Sequence, residues 1–137
     1  MNQTCGIDYV DHVGIAVYDL EVALEFFRNI FGLESGEVSE LNDQGVKAAL
    51  VEIGETRLEL LEPLNMESPV GRFLERRGEG LHHLAFNVKN VKQGLEFVRL
   101  KGLELIDRMP REGLTGSIAF IHPKSTHGIL TELVQSI

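Results

Sequence analysis

Apolar and polar side chains alternate in two segments that open corresponding halves of the chain. The first reads DHVGIAV at 11–17 and the second reads HHLAFNV at 82–88. A period of two predicts a β-strand in each segment. Because side chains alternate across a strand, His12 falls on the same face as Gly14 and Ala16, away from the bulkier residues. His83 falls in the same way on the face of Ala85 and Asn87.

Each of these strands is followed by a segment with helical spacing. Asp19 and Asn90 stand where an N-cap is expected, and Gly32 and Gly102 stand where each helix should end. A shorter helix is predicted at 69–77, because Ser68 and the proline after it form an N-cap and N1 pair. The apolar stripe of the first helix consists of Leu20, Ala23, Leu24, Phe27 and Phe31.

The remaining apolar runs predict three further strands in each half. In the first half they lie at 33–39, 46–53 and 56–62, and in the second half at 103–107, 116–121 and 129–134. The chain therefore reads as an α+β fold of two tandem βαβββ modules with curved mixed sheets. Its 137 residues form a single domain, with module one at about 8–62, a linker helix at about 68–77 and module two at about 79–137.

The metal site is predicted from residues that recur with the repeat. His12 and His83 are 71 residues apart, and Glu59 and Glu132, each inside an apolar run, are 73 residues apart. A carboxylate in an apolar strand is costly unless it has a partner. Two imidazoles and two carboxylates suit a divalent cation, and Co²⁺, Mn²⁺, Ni²⁺, Zn²⁺ and Mg²⁺ are all compatible.

Three other histidines fall outside this predicted shell. His82 points to the strand face opposite that of His83. His122 and His127 lie in loops, where lining the site and a plain surface position are both open.

Composition narrows the partners and the compartment. A net charge of −8 disfavours nucleic acid and anionic membrane surfaces as partners, although a small anionic molecule remains compatible. Cys5 is the one cysteine, so neither an internal disulfide nor a thiolate metal shell is expected. The sequence has neither an apolar run long enough for a membrane span nor a signal peptide pattern, and we expect a cytoplasmic protein.

Several motifs resemble the vicinal oxygen chelate superfamily (glyoxalases, bleomycin resistance proteins and dioxygenases), and most closely its methylmalonyl-CoA epimerases. They are DHVGIAV at 11–17, ELLEPL at 59–64, SPV at 68–70, GEGLHHLA at 78–85, FIHPK at 120–124 and HGILTEL at 127–133. The resemblance covers essentially the whole chain. It implies that His12, Glu59, His83 and Glu132 bind one divalent metal ion per chain, and that the protein is a homodimer.

The resemblance also implies an activity. A methylmalonyl-CoA epimerase is an isomerase that interconverts the 2R and 2S forms of its acyl-CoA substrate by abstracting the C2 proton through a metal-stabilised enolate. Several relatives carry a glutamate, proposed as the base, where this chain has Ala48. Glu132 is therefore our candidate catalytic base, by elimination.

Two alternatives share the fold. A glyoxalase I (lactoylglutathione lyase)-like enzyme uses the same kinds of ligand, although the sequence IHPK after Phe120 differs from the corresponding glyoxalase loop. A non-catalytic protein that binds small molecules is the other alternative, and such proteins commonly lack the metal ligands. An extradiol dioxygenase is disfavoured, because it generally uses two histidines and one carboxylate.

Overall fold

The computed structural model describes residues 4–136, and this part of the chain contains three α-helices and eight β-strands. The helices are α1 (Leu20–Phe31), α2 (Pro69–Arg77) and α3 (Val91–Leu100). The strands are β1 (Ile7–Ala16), β2 (Ser39–Leu41), β3 (Val46–Ile53), β4 (Thr56–Pro63), β5 (Gly80–Val88), β6 (Arg111–Glu112), β7 (Gly116–Ile121) and β8 (Thr131–Ser136). The predicted α+β class is confirmed.

Contacts between Cα atoms divide the chain into two compact units. The central unit is His12–His82, and the terminal unit combines Met1–Asp11 with His83–Ile137, of which residues 4–11 and 83–136 are described. The boundaries of this division fall inside β1 and inside β5, a few residues from the predicted starts of the two modules. The prediction of one domain with modules at about 8–62 and 79–137 stays a prediction.

Both units contain the same strand order. In the central unit it is β1, β4, β3, β2, and in the terminal unit it is β5, β8, β7, β6. The first pair in each series is parallel and the other pairs are antiparallel. Each unit therefore has mixed strand pairing, as the two predicted βαβββ modules require.

The helices begin where the sequence predicts. The Asp19 carboxylate accepts a hydrogen bond from the Val22 N–H (3.1 Å), and the Asn90 side chain accepts one from Gln93 (2.9 Å). Ser68 caps α2 through the Gly71 N–H (3.1 Å). These side chains satisfy N–H groups that have no partner within the helix, which fixes the first turn of each helix.

Each unit packs a helix against one face of its strands. In the central unit Leu20 and Leu24 of α1 join a buried cluster with Val51 and Leu60. In the terminal unit the cluster consists of Val88, Val91, Leu95, Val98, Ala119, Ile121 and Leu133. Ile15 packs against the first cluster and Phe86 against the second, which confirms the predicted face for the bulky residues of β1 and β5.

The second strand of each module is predicted at the wrong place. The segment predicted at 33–39 is not a strand, and β2 starts at Ser39, while 103–107 is replaced by the two-residue β6. In place of a ladder, each wrongly predicted segment forms an isolated bridge to the neighbouring strand, Ser35 with Val51 and Leu105 with Ile121. Leu33, Leu103 and Leu105 pack against the buried clusters without forming a regular strand.

The last strand is also shifted. The prediction places it at 129–134, whereas β8 spans Thr131–Ser136. Glu132 lies inside both ranges, so the shift leaves its position in the strand unchanged.

Candidate functional site

The central unit places His12 and Glu59 next to each other through the register of two parallel strands. Gly14 of β1 pairs with Glu59 of β4, and His12 lies two residues before Gly14 on the same strand face. The Nε2 atom of His12 is 3.4 Å from Oε1 of Glu59. Both side chains are buried, with His12 5% and Glu59 6% exposed.

The terminal unit repeats this arrangement with His83 and Glu132. Ala85 of β5 pairs with Glu132 of β8, and His83 lies two residues before Ala85. Nε2 of His83 is 3.1 Å from Oε1 of Glu132, and the two residues are 6% and 4% exposed. The two glutamates are two residues further apart along the chain than the two histidines are. The extra residues lie between β5 and β8, so the register at the pair is the same in both units.

The side chains around the two pairs are small or apolar. On the site face Gly14 and Ala16 follow His12, and Ala85 follows His83; both alanines are fully buried. Phe120 meets the His83 ring edge-to-face, with the ring centres 5.5 Å apart. In such surroundings an imidazole and a carboxylate attract each other or a shared cation strongly, because few water dipoles compete.

The donor set fits a divalent metal ion. Each pair offers one imidazole nitrogen and one carboxylate oxygen, the mixed nitrogen and oxygen set that Zn²⁺, Co²⁺, Ni²⁺ and Mn²⁺ accept. The buried potential ligands are His12 and Glu59 in the central unit, and His83 and Glu132 in the terminal unit. Cys5 stays outside this chemistry: its thiol donates a hydrogen bond to the carbonyl of Gly94 (3.7 Å).

The other histidines have local roles. His82 contacts the Phe73 ring edge-on at 4.9 Å, on the strand face that the sequence predicts. His122 begins a short 3₁₀ turn, and its Nδ1 accepts a hydrogen bond from the Lys124 N–H (3.0 Å). His127 adopts a left-handed backbone conformation with φ 58°. The two loop histidines shape the turns between β7 and β8.

Ala48 is the position at which the family resemblance implies a glutamate in several relatives. It is fully buried in β3, between Ser39 of β2 and Leu61 of β4. A methyl group cannot accept a proton, so a base for any proton transfer has to come from elsewhere.

A buried polar cluster in the terminal unit was missed by the sequence analysis. The Asn87 amide donates to Asp11 (3.2 Å) and to the Ser136 hydroxyl (3.0 Å), and Asp11 is 1% exposed. An aspartate inside the alternating segment at 11–17 was the available signal. The partners could not be found, because Asp11 is separated from Asn87 by 76 residues.

A second missed feature is the contact of Arg111 with Phe120. The guanidinium carbon of Arg111 lies 5.6 Å from the centre of the Phe120 ring, and Nε is 3.1 Å from a carboxylate oxygen of Asp107. No pattern along the chain pointed to this arginine, since its position depends on where β6 forms.

Comparison with known proteins agrees with this geometry. The sequence profile of the Glyoxalase/Bleomycin resistance protein/Dioxygenase superfamily matches residues 11–120. An ethylmalonyl-CoA/methylmalonyl-CoA epimerase from Cereibacter sphaeroides is 35% identical over 132 residues, which cover 94% of this chain and 98% of that protein. The chain belongs to the methylmalonyl-CoA epimerase family of this superfamily.

Two further relatives are similar over nearly their whole length. The structure of a methylmalonyl-CoA epimerase in complex with methylmalonyl-CoA and NH4+ matches with a TM-score of 0.93 and 40% identity, covering 96% of both chains. An uncharacterized protein, YqjC from Bacillus subtilis, is 42% identical over 127 residues, which cover 92% of this chain and 91% of that protein. The resemblance to epimerases found in the sequence is therefore confirmed.

The sequence also led to expectations about membrane spans, the oligomeric state and the location of the protein. None of the described helices is long and apolar enough to cross a bilayer. The homodimer and the cytoplasmic location stay predictions.

Proposed function

We propose that this chain is a methylmalonyl-CoA epimerase that interconverts the 2R and 2S thioesters. The observation that carries the proposal is the duplicated, buried His–Glu pair, found in the same strand register in both units of a chain from the epimerase family. A buried acid beside a buried imidazole, present twice, costs stability. A metal site explains why both pairs exist.

In this proposal the four side chains of the two pairs are metal ligands. His12, Glu59, His83 and Glu132 hold one divalent ion per chain. When bound, such an ion stabilises negative charge that develops on the thioester carbonyl oxygen. The residues of this chain supply the fixed donors and exclude water, because all four are at least nine-tenths buried.

Proton transfer is assigned to Glu132 in this proposal. The C2 proton passes to its carboxylate, the C–H electron pair delocalises into the thioester carbonyl, and an enolate forms. Protonation on the opposite face gives the other epimer. The 3.1 Å contact with His83 Nε2 places the Glu132 carboxylate on the site face, where it can accept a proton.

The deciding experiment follows deuterium uptake from solvent at C2 of methylmalonyl-CoA by mass spectrometry. The protein is stripped of metal, assayed, and assayed again after loading with Co²⁺. We expect rapid exchange only in the loaded protein. The hemithioacetal of methylglyoxal and glutathione serves as the control substrate. Isomerisation of that control without exchange of the thioester would replace the epimerase with a glyoxalase I-like enzyme, and inactivity toward both would favour a binding protein.

A matched pair of variants tests the role of Glu132. Glu132→Gln should lower the exchange rate by about 10²–10⁴, the usual contribution of a general base. Glu112→Gln removes one carboxylate from an exposed position in β6 and should leave the exchange rate unchanged. If Glu132→Gln retains its metal and its full exchange rate, the base lies elsewhere.

The range of acyl chains follows from the small residues beside the histidines. Gly14, Ala16 and Ala85, the neighbours of the two histidines on the site face, are small, and the Cereibacter sphaeroides relative is named for both ethylmalonyl-CoA and methylmalonyl-CoA. We therefore propose that ethylmalonyl-CoA is also a substrate. The deuterium assay with this thioester checks the proposal, and exchange restricted to methylmalonyl-CoA would contradict it.

A further inference from the structure

An arginine lies on the same strand face as the His83–Glu132 pair. Arg111 of β6 pairs with Ile118 of β7, Ile118 pairs with Val134 of β8, and Val134 pairs with Asn87 of β5. Residues that pair directly across a sheet share a face, and Asn87 shares its face with His83. These four paired residues therefore form a row across the strands, and the row places a cation on the site face of the terminal unit, two strands away from Glu132.

The arginine is held in place by two neighbours. Asp107 contacts Nε of Arg111 (3.1 Å) with one carboxylate oxygen and accepts a hydrogen bond from the Phe120 N–H (2.9 Å) with the other. The contact to Arg111 is an ion pair and not a hydrogen bond, because the Nε–H is not aimed at Asp107. Phe120 lies under the guanidinium and also meets the His83 ring.

This arrangement leaves the terminal nitrogens of Arg111 available. Asp107 approaches Nε, and the side chain is 34% exposed, so the end of the guanidinium can reach a ligand. A planar guanidinium that is already oriented loses little entropy when it forms a two-pronged contact to an oxyanion.

The other unit has no cation at the matching position. In the central unit Ser39 pairs with Ala48 in the same register in which Arg111 pairs with Ile118 in the terminal unit. The fold thus tolerates a small neutral residue at this register position. The arginine is a feature of one half only, as expected for a group that recognises an asymmetric ligand.

We propose that Arg111 is a specificity residue that binds an oxyanion of the acyl-CoA substrate through its terminal N–H groups. This inference rests on the proposed function. The oxyanion is either the free carboxylate of the acyl group or a phosphate of coenzyme A. Both are planar or tetrahedral oxygen groups that a guanidinium contacts with two parallel hydrogen bonds.

The test measures binding by titration calorimetry in the Co²⁺-loaded protein. Three thioesters separate the two sources: methylmalonyl-CoA, propionyl-CoA, which lacks the free carboxylate, and methylmalonyl-pantetheine, which lacks the nucleotide phosphates. Arg111→Gln should weaken methylmalonyl-CoA binding roughly tenfold or more, the loss expected for a charge-assisted contact. A carboxylate partner spares propionyl-CoA from this loss, whereas a phosphate partner spares methylmalonyl-pantetheine.

Two further variants provide controls. Arg108→Gln removes the same charge from an exposed position three residues away, and should leave all three affinities within about twofold. Arg111→Lys retains the charge beside Asp107 but loses the planar fork, so its affinity should fall between those of the wild type and Arg111→Gln. It also keeps the test valid if Arg111→Gln does not fold.

The outcomes separate this inference from the proposed function. Equal losses for all three thioesters, or no loss relative to Arg108→Gln, would overturn the role of Arg111 while deuterium exchange in the wild type continues to support the epimerase. Wild-type protein that binds none of the thioesters would overturn both proposals.

Discussion

In each pair, the register of two parallel strands places the histidine beside its glutamate. A glutamate sits opposite the residue two positions after the histidine, at Gly14 in one unit and at Ala85 in the other. This register brings the Nε2 and Oε1 atoms within 3.4 Å in the first pair and 3.1 Å in the second. Residue type alone made these positions conspicuous, because a carboxylate in an apolar strand requires a partner.

The thiol of Cys5 offers a pH-dependent test at the same scale. Burial raises the pKa of Cys5 above its ordinary value, because the thiolate is poorly solvated. The folded protein should therefore react with a disulfide reagent only at higher pH than the unfolded chain does. The rate of thiol release, measured against pH in buffer and in concentrated urea, checks this.

The same shift has a consequence for stability. Because the pKa of the Cys5 thiol is raised in the folded protein, the thiol contributes stability that is present below its pKa in the unfolded chain, roughly 8.5. That stability is lost as the pH rises through the pKa of the thiol in the folded protein. Cys5→Ser serves as the control. It should show no thiol reaction, and its free energy of unfolding should not fall over this pH range. Identical pH midpoints for the folded and the unfolded thiol would contradict the prediction.

At the scale of elements, the helices were predictable and the edge strands were not. All three helices begin after the capping residues that the sequence shows, Asp19, Ser68 and Asn90. Capping depends on side chains within three residues, so local sequence carries the information. The strands β2 and β6 depend on partners far along the chain, and their apolar runs at 33–39 and 103–107 were misleading for that reason.

The caps of α1 and α3 give a paired prediction. Asp19→Ala and Asn90→Ala should each lower the free energy of unfolding by about 1 kcal/mol, because each removes the acceptor for one N–H of the first turn. Urea denaturation measures the effect. Gln93→Ala, an exposed side chain in α3, should stay within about 0.5 kcal/mol of the wild type. A cap variant as stable as this control would show that solvent satisfies the first turn equally well.

At the scale of the whole molecule, metal binding and stability should be linked. A ligand that binds only the folded chain stabilises it by about 2.7 kcal/mol at a hundred times its dissociation constant. Removing metal with a chelator should therefore lower the thermal midpoint, and reloading with Co²⁺ should restore it. Differential scanning calorimetry with and without chelator measures the shift.

Two histidine variants make this prediction specific. His83→Ala removes a proposed ligand and should abolish the shift caused by metal. His127→Asn alters a loop histidine outside the shell, and asparagine tolerates the left-handed backbone there, so the shift should remain. A metal-dependent shift that survives in His83→Ala would exclude His83 as a ligand.

The sequence by itself determined the repeat, the helices with their caps, the strands that carry the site and the four proposed ligands. These follow from short-range patterns and from the cost of burying charge. Only the tertiary structure decided the register that pairs each histidine with its glutamate, the position of β6, and the placement of Arg111 over Phe120. These features depend on pairing between segments that are distant along the chain. The stability of such pairing depends on the partner strand, which no local pattern identifies.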